Sequence, residues 1–244
     1  MNFKVPDNIR PHWNYFLALE KDLETVSRYI EFNKDNLNTY SIELAHLLLS
    51  SASEIDTVAK CICSILEPSA KPDNIHKYRK IIKAAEDSET YGFDLVGKED
   101  PVLAEKHKHR LSDLIVYIPR YNLALNPWKS WAEDKNPDWW QSYNEVKHER
   151  NHHFNKGTLR NTLYAHAALL ALNYVYCRLE ITKEELRHRY QYREKNVTRY
   201  MKPESTLMRF SENFYDNPIA ELGGYISSVS KDVSRLSGEL SDRD

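Results

Sequence analysis

Glycine is scarce, with six in 244 residues, against an average near ~7%. So few glycines argue against glycine-rich phosphate loops and against a turn-rich all-β fold. There are three cysteines, Cys61, Cys63 and Cys177. At least one stays unpaired, which fits a reduced, cytoplasmic chain better than a disulfide scaffold. Charge of one sign is also missing. The formal net charge is -2, so any nucleic-acid role would need a local basic patch. The longest apolar run, Leu163 to Cys177, is interrupted by His166 and Asn173 and falls short of the ~20 residues of a membrane span. Met1 to Arg10 has no apolar core and no small-residue cleavage site, unlike a signal peptide. What is present is a globular composition, 41% apolar and 29% charged, with 16 tyrosines.

The apolar spacing is helical. Pro11 suits a first helical turn. Trp13, Phe16, Leu17, Leu23, Val26 and Ile30 then recur at three- and four-residue steps, which predicts a helix of about six turns ending near Asn33. A polar link, Lys34 to Thr39, leads to Ser41 as cap of a second helix. Leu44, Leu47, Leu48, Ser51, Ile55, Val58, Ile62 and Ile65 form its face, and Pro68 stops it. A third, shorter helix is expected from about Asn74 to Ala85. Glu86 to Asn136 is punctuated by Gly and Pro. Leu114 to Tyr117 and Asn122 to Leu125 read either as a hairpin around Pro119-Arg120 or as an ordered loop. Pro137 opens another helix, and Leu159 to about Leu179, apolar nearly all round, is the central one.

The fold class is therefore all-α: an up-and-down bundle of about five core helices over residues 1–182, with a small irregular or two-stranded insert. Residues 183–244 read as a helical C-terminal appendage with a frayed end. Its charge is split. Lys183 to Lys202 carries seven Lys or Arg against three Glu, and Pro203 to Asp244 four against eight acidic residues.

The densest polar cluster is Tyr143-Asn144-Glu145-Val146-Lys147-His148-Glu149-Arg150-Asn151-His152-His153. His148-Glu149-Arg150-Asn151-His152 spells H-E-x-x-H, the zinc-protease spacing. Arg150 between the ligands opposes a cation, and no third ligand follows. The zinc reading is the least favoured, and no metal or cofactor is expected.

A second pattern carries a resemblance. Trp139-Trp140-x-x-Tyr143-Asn144-x-Val146-Lys147-His148-x-Arg150, followed by the helix from Leu159, resembles the HEPN superfamily. That resemblance implies a four- to five-helix bundle. It also implies a metal-independent endoribonuclease of a toxin–antitoxin or phage-defence system, working as a homodimer with paired motifs across a groove. The family motif R-N-x-x-x-H maps onto Tyr143-Asn144-Glu145-Val146-Lys147-His148. His148 takes the catalytic place and Asn144 the polar one. Tyr143 stands where the family has Arg, so Lys147 or Arg150 would supply the cation. RNA is the implied partner, with an antitoxin or defence-system protein beside it, and no membrane. The alternative is a non-catalytic RNA- or protein-binding module of the same ancestry.

Trp140 and Tyr143 are candidates for base stacking, with core packing as the commoner use of such spacing. Arg187, Arg189 and Arg193, interleaved with Tyr190 and Tyr192, are candidates for phosphate contact. Glu54 or Asp56 could orient His148 or pair with Arg150, with a plain surface role as the favoured reading. A rival motif, Arg160-Asn161-x4-His166, keeps both Arg and Asn. Residues six apart on a straight helix diverge by about 240°, and His166 lies among leucines, so a core histidine is the favoured reading. Cys61 and Cys63 face different sides of a helix and make a poor metal pair.

Overall fold

The computed structural model describes residues 7–87, 110–188 (side chains to 181) and 201–210. Five α-helices are present among them: α1 (Arg10–Val26), α2 (Ile42–Leu66), α3 (Ile75–Asp87), α4 (Asp138–His153) and α5 (Leu159–His188). The expected helical bundle is what forms. Its most extensive pairing is α2 against α5, with α1, α3 and α4 also packed on α2. Ser41 caps α2, its hydroxyl accepting from the Leu44 N–H at 3.1 Å. Asn74 does the same for α3, accepting from His76 and Lys77.

Three boundaries differ from the sequence pattern. α1 stops at Val26 rather than near Asn33. Thr25 and Ser27 hydroxyls bond back to the Lys21 and Glu24 carbonyls, the local competition that weakens a helix end. Ile30 keeps the helical spacing but packs from the turn that follows. α3 runs two residues past its expected end, and α5 continues to His188, beyond the expected end at Leu179.

The insert is a hairpin. β1 (Val116–Ile118) pairs antiparallel with β2 (Leu123–Leu125), with Val116 opposite Leu125. Asn122 turns the corner at φ 50°, a left-handed position that asparagine tolerates. A third strand comes from the far end of the chain: β3 (Arg209–Phe210) pairs antiparallel with β1, giving the order β2-β1-β3. Residues 201–210, expected to be helical, are instead extended or in turns. Met201, Leu207, Met208 and Phe210 in this strap are buried. The Trp13 indole donates to the Pro203 carbonyl at 2.9 Å. Glu20, itself buried, accepts from the Ser205 hydroxyl, from Thr206 N–H at 3.0 Å and from Leu207 N–H at 3.3 Å. A buried carboxylate needs such donors to offset its desolvation.

The stretch leading into α4 is anchored by indoles. Trp128 lies 4.4 Å from Trp131 and 5.3 Å from Trp139, centroid to centroid. Trp128 also donates to the Ala168 carbonyl of α5 at 3.3 Å. No helix among the described residues is long and apolar enough to cross a membrane.

Candidate nucleic-acid interface

α4 carries two different faces. Trp139, Trp140, Tyr143 and Val146 are buried. Trp140 and Tyr143, the candidates for base stacking, pack with ring centroids 5.1 Å apart and only 6% exposure each. Their rings serve the core, so stacking on a base is not open to them as packed. The position where the resembling motif has Arg is thus an aromatic core position.

The opposite face ends in solvent. Lys147, His148, Glu149 and Arg150 are exposed, and Asn144 is half-buried one turn before His148. Residues four apart on a helix differ by only about 40°, so Asn144 and His148 share a face. Lys147 reaches back over the Tyr143 ring, 5.4 Å from its centroid. Glu149 has φ −134° and ψ 45°, which breaks the helix there. The break falls after His148, leaving the Asn144/His148 pair on regular helix and setting Arg150 beyond the bend. It also falls between His148 and His152, so the one-face spacing that H-E-x-x-H requires is lost. Among the described residues no group of three or more His, Cys, Asp or Glu is placed to hold a metal.

Beyond the break, a 3₁₀ turn (Phe154–Lys156) leads through Gly157 into α5. A Cβ on Gly157 would come within 2.6 Å of the Ala45 Cβ on α2, so only glycine lets this turn lie so close to the bundle. The 37–41 link fixes it from the other side. Tyr40 and Thr158 form an antiparallel bridge. Leu159 N–H donates to the Thr39 carbonyl at 2.8 Å, and Arg160 N–H to Leu37 at 2.9 Å.

Lys147, His148, Arg150, His152, Lys156 and Arg160 are all exposed along this stretch, with Glu149 as the acidic side chain among them in sequence. The side chains of His148 and Arg150 have no hydrogen bond or ion pair to another described residue, whereas Glu149 meets His153 at 3.5 Å. Sequence reasoning missed one member. Tyr40 is 52% exposed and stands edge-on to Phe154, centroids 5.9 Å apart. Its place beside the patch comes from a pairing 118 residues apart in the chain, which no local pattern signals.

The other candidates lie elsewhere. Glu54 pairs with His12 at 2.5 Å, and Asp56 with Lys60 at 2.5 Å and the Tyr78 hydroxyl at 2.7 Å. Neither carboxylate orients His148 or holds Arg150. In the rival motif, Arg160 lies over the Tyr164 ring and the Asn161 amide donates to the Lys156 carbonyl. His166 is 1% exposed and stacks on Phe16 at 4.4 Å, and its Nδ1 is 3.5 Å from the Ser51 hydroxyl. Burial pushes its pKa down to about 3. It is a neutral core histidine. Arg187 lies on α5 without a described side chain, and Arg189 and Arg193 lie outside the described residues.

Comparison with family models, with curated proteins and with solved structures yields no match.

Proposed function

We propose that the Lys147–Arg160 surface binds RNA and that this HEPN-like protein is a metal-independent endoribonuclease, with His148 as the proton-transfer group. The observation that carries the reading is that His148 and Arg150 are both exposed, within a run of exposed basic residues and with no side-chain partner among the described residues. Cleavage would use the RNA's own 2′-hydroxyl as nucleophile. An accessible histidine can take that proton or protonate the leaving oxygen. Arg150 or Lys147 supports charge building on the phosphorane-like transition state. Lys156 and Arg160 add phosphate contacts, and Tyr40 takes the base-stacking role first assigned to Trp140 and Tyr143. Asn144 positions His148 or the scissile phosphate. A homodimer would set two His148 groups across one groove, and an antitoxin or defence-system partner would restrain the activity.

A second reading is favoured by Tyr143, whose burial leaves no cation at the motif's Arg position. It keeps RNA or protein binding at the same surface and drops the cleavage. One experiment separates the two: incubate the protein with RNA and EDTA, comparing wild type with His148→Ala. Wild-type cleavage that the substitution removes supports the nuclease. Binding without cleavage in both selects the module. Neither binding nor cleavage would sink both RNA readings.

A further inference from the structure

Where the strap of residues 201–210 crosses α1, one hydroxyl is shared. Ser205 Oγ touches two acceptor oxygens, Glu20 Oε1 and the Met208 carbonyl, the latter at 2.7 Å. It also accepts the Met208 N–H at 3.0 Å. A serine hydroxyl has a single hydrogen. With Glu20 ionised, that hydrogen serves only one of the two oxygens. The other contact then sets lone pair against lone pair, beside a carboxylate only 2% exposed.

One added proton fills the gap. A Glu20 O–H on Oε1 donates to Ser205 Oγ, and the Ser205 hydrogen turns to the Met208 carbonyl. The two lone pairs of Ser205 then receive Glu20 and the Met208 N–H. Glu20 Oε2 keeps the Thr206 N–H at 3.0 Å. Every contact in the cluster has its hydrogen only in this form. We propose that Glu20 and Ser205 form a proton-binding clasp, in which the strap seats on α1 with one proton taken from water onto Glu20 and loosens as pH rises.

The surroundings favour that proton. Glu24, one turn further along α1, brings a second carboxylate to the same stretch and accepts from the Thr206 hydroxyl at 2.6 Å. The strap's Lys202 pairs with its own Glu204, and Arg209 lies exposed in β3. From α5, His166 lies behind Phe16, one turn before Glu20, and is neutral. From α2, Glu54 is taken up by His12, two turns earlier. Burial, with Glu24 adding to it, raises the Glu20 pKa above its ordinary 4.5, and the Ser205, Thr206 and Leu207 donors offset part of that rise. A closed value above the open one makes the clasp whole below pH 4.5 and weakens it as pH climbs through the closed value.

Hydrogen exchange of the full chain, read by mass spectrometry from pH 4.5 to pH 8 and corrected for the intrinsic rate at each pH, tests this. Protection of the 205–208 amides is expected to fall by up to about tenfold per pH unit until the closed value of Glu20 is passed, with α2 amides as the reference for the bundle. Glu20→Gln carries a fixed donor for Ser205 and an acceptor for Thr206, so its strap should keep the same protection across the range. Wild-type protection that does not change with pH relative to α2 overturns the clasp, and so does an equal pH slope in Glu20→Gln. If Glu20→Gln also loses α2 protection, the variant has loosened, and the decision passes to the wild-type Glu20 carboxyl, titrated through its ¹³C resonance. A midpoint above 4.5 supports the clasp, and one at or below 4.5 overturns it.

Discussion

Two histidines follow an asparagine at nuclease-like spacing, and the bundle treats them oppositely. His148 stands in water at the end of a helix that breaks one residue later. His166 lies in mid-helix against Phe16, with burial holding it neutral. The rival motif has the better letters, since it keeps Arg160 and Asn161. Its histidine, though, is sealed behind α1 and α2, where no phosphate can reach it. The weaker motif has the accessible histidine. Motif spelling selects residue types, while access and protonation decide which of them can do chemistry.

That contrast can be broken most directly at His148. His148→Ala is expected to cut RNA cleavage by ~10²–10⁴, the usual contribution of an acid–base group, with the thermal midpoint nearly unchanged. His166→Ala should do the reverse. It removes a ring stacked in the core and should cost roughly 2–4 kcal/mol in denaturant unfolding, as large-to-small core changes do, while the folded fraction keeps its activity. Loss of cleavage in stably folded His166→Ala, with His148→Ala still active, would reverse the assignment.

Protonation sharpens the same comparison. His166 has a folded pKa near 3 and an ordinary value of about 6.5 when unfolded. The unfolded chain therefore binds the extra proton between those values. The stability His166 contributes is whole above pH 6.5 and is lost as pH falls toward 3. Urea unfolding across that window should show this acid limb in wild type and a shallower one in His166→Gln. His12 works with the opposite sign. Its folded pKa of about 9 is raised, so its contribution is present below pH 6.5 and lost as pH climbs through 9.

Gly157→Ala tests whether the turn places the patch. The new Cβ would press on Ala45, with an expected cost of about 1–3 kcal/mol as for other overpacked sites. RNA affinity should fall with it. The smallest change is expected from Arg150→Ala, a several-fold loss of RNA affinity with the salt dependence reduced by about one phosphate contact. An unchanged salt slope would place RNA elsewhere.

Much of the bundle was legible because its signals are local. Pro11, Ser41 and Pro68 mark helix ends by their own chemistry, and the leucine spacing of α2 names its buried face. The hairpin could be read in outline from Pro119 and Asn122. The third strand could not, since Arg209 and Phe210 find β1 only through a return of the chain. At the candidate site the exposed His148 face followed from polar composition. The bend at Glu149, the placement of Tyr40 and the His12–Glu54 pair came from contacts between distant segments, where periodicity carries no information. Aromatic spacing gave the right helix and left the wrong use open: Trp140 and Tyr143 were candidates for RNA and are core.

The strap over α1 makes the bundle's two ends mutually dependent. Glu20 takes its three donors from residues 205–207, and β1 takes its second partner from residues 209–210. A chain ending at residue 200 would keep all five described helices and still be handicapped. It would leave Glu20 and the Trp13 indole to water in place of their strap partners, uncover the apolar surface now under Met201, Leu207, Met208 and Phe210, and open a strand edge of β1 to any neighbouring chain. During synthesis α1 is made long before residues 201–210, so it gains these partners only late in the chain's emergence.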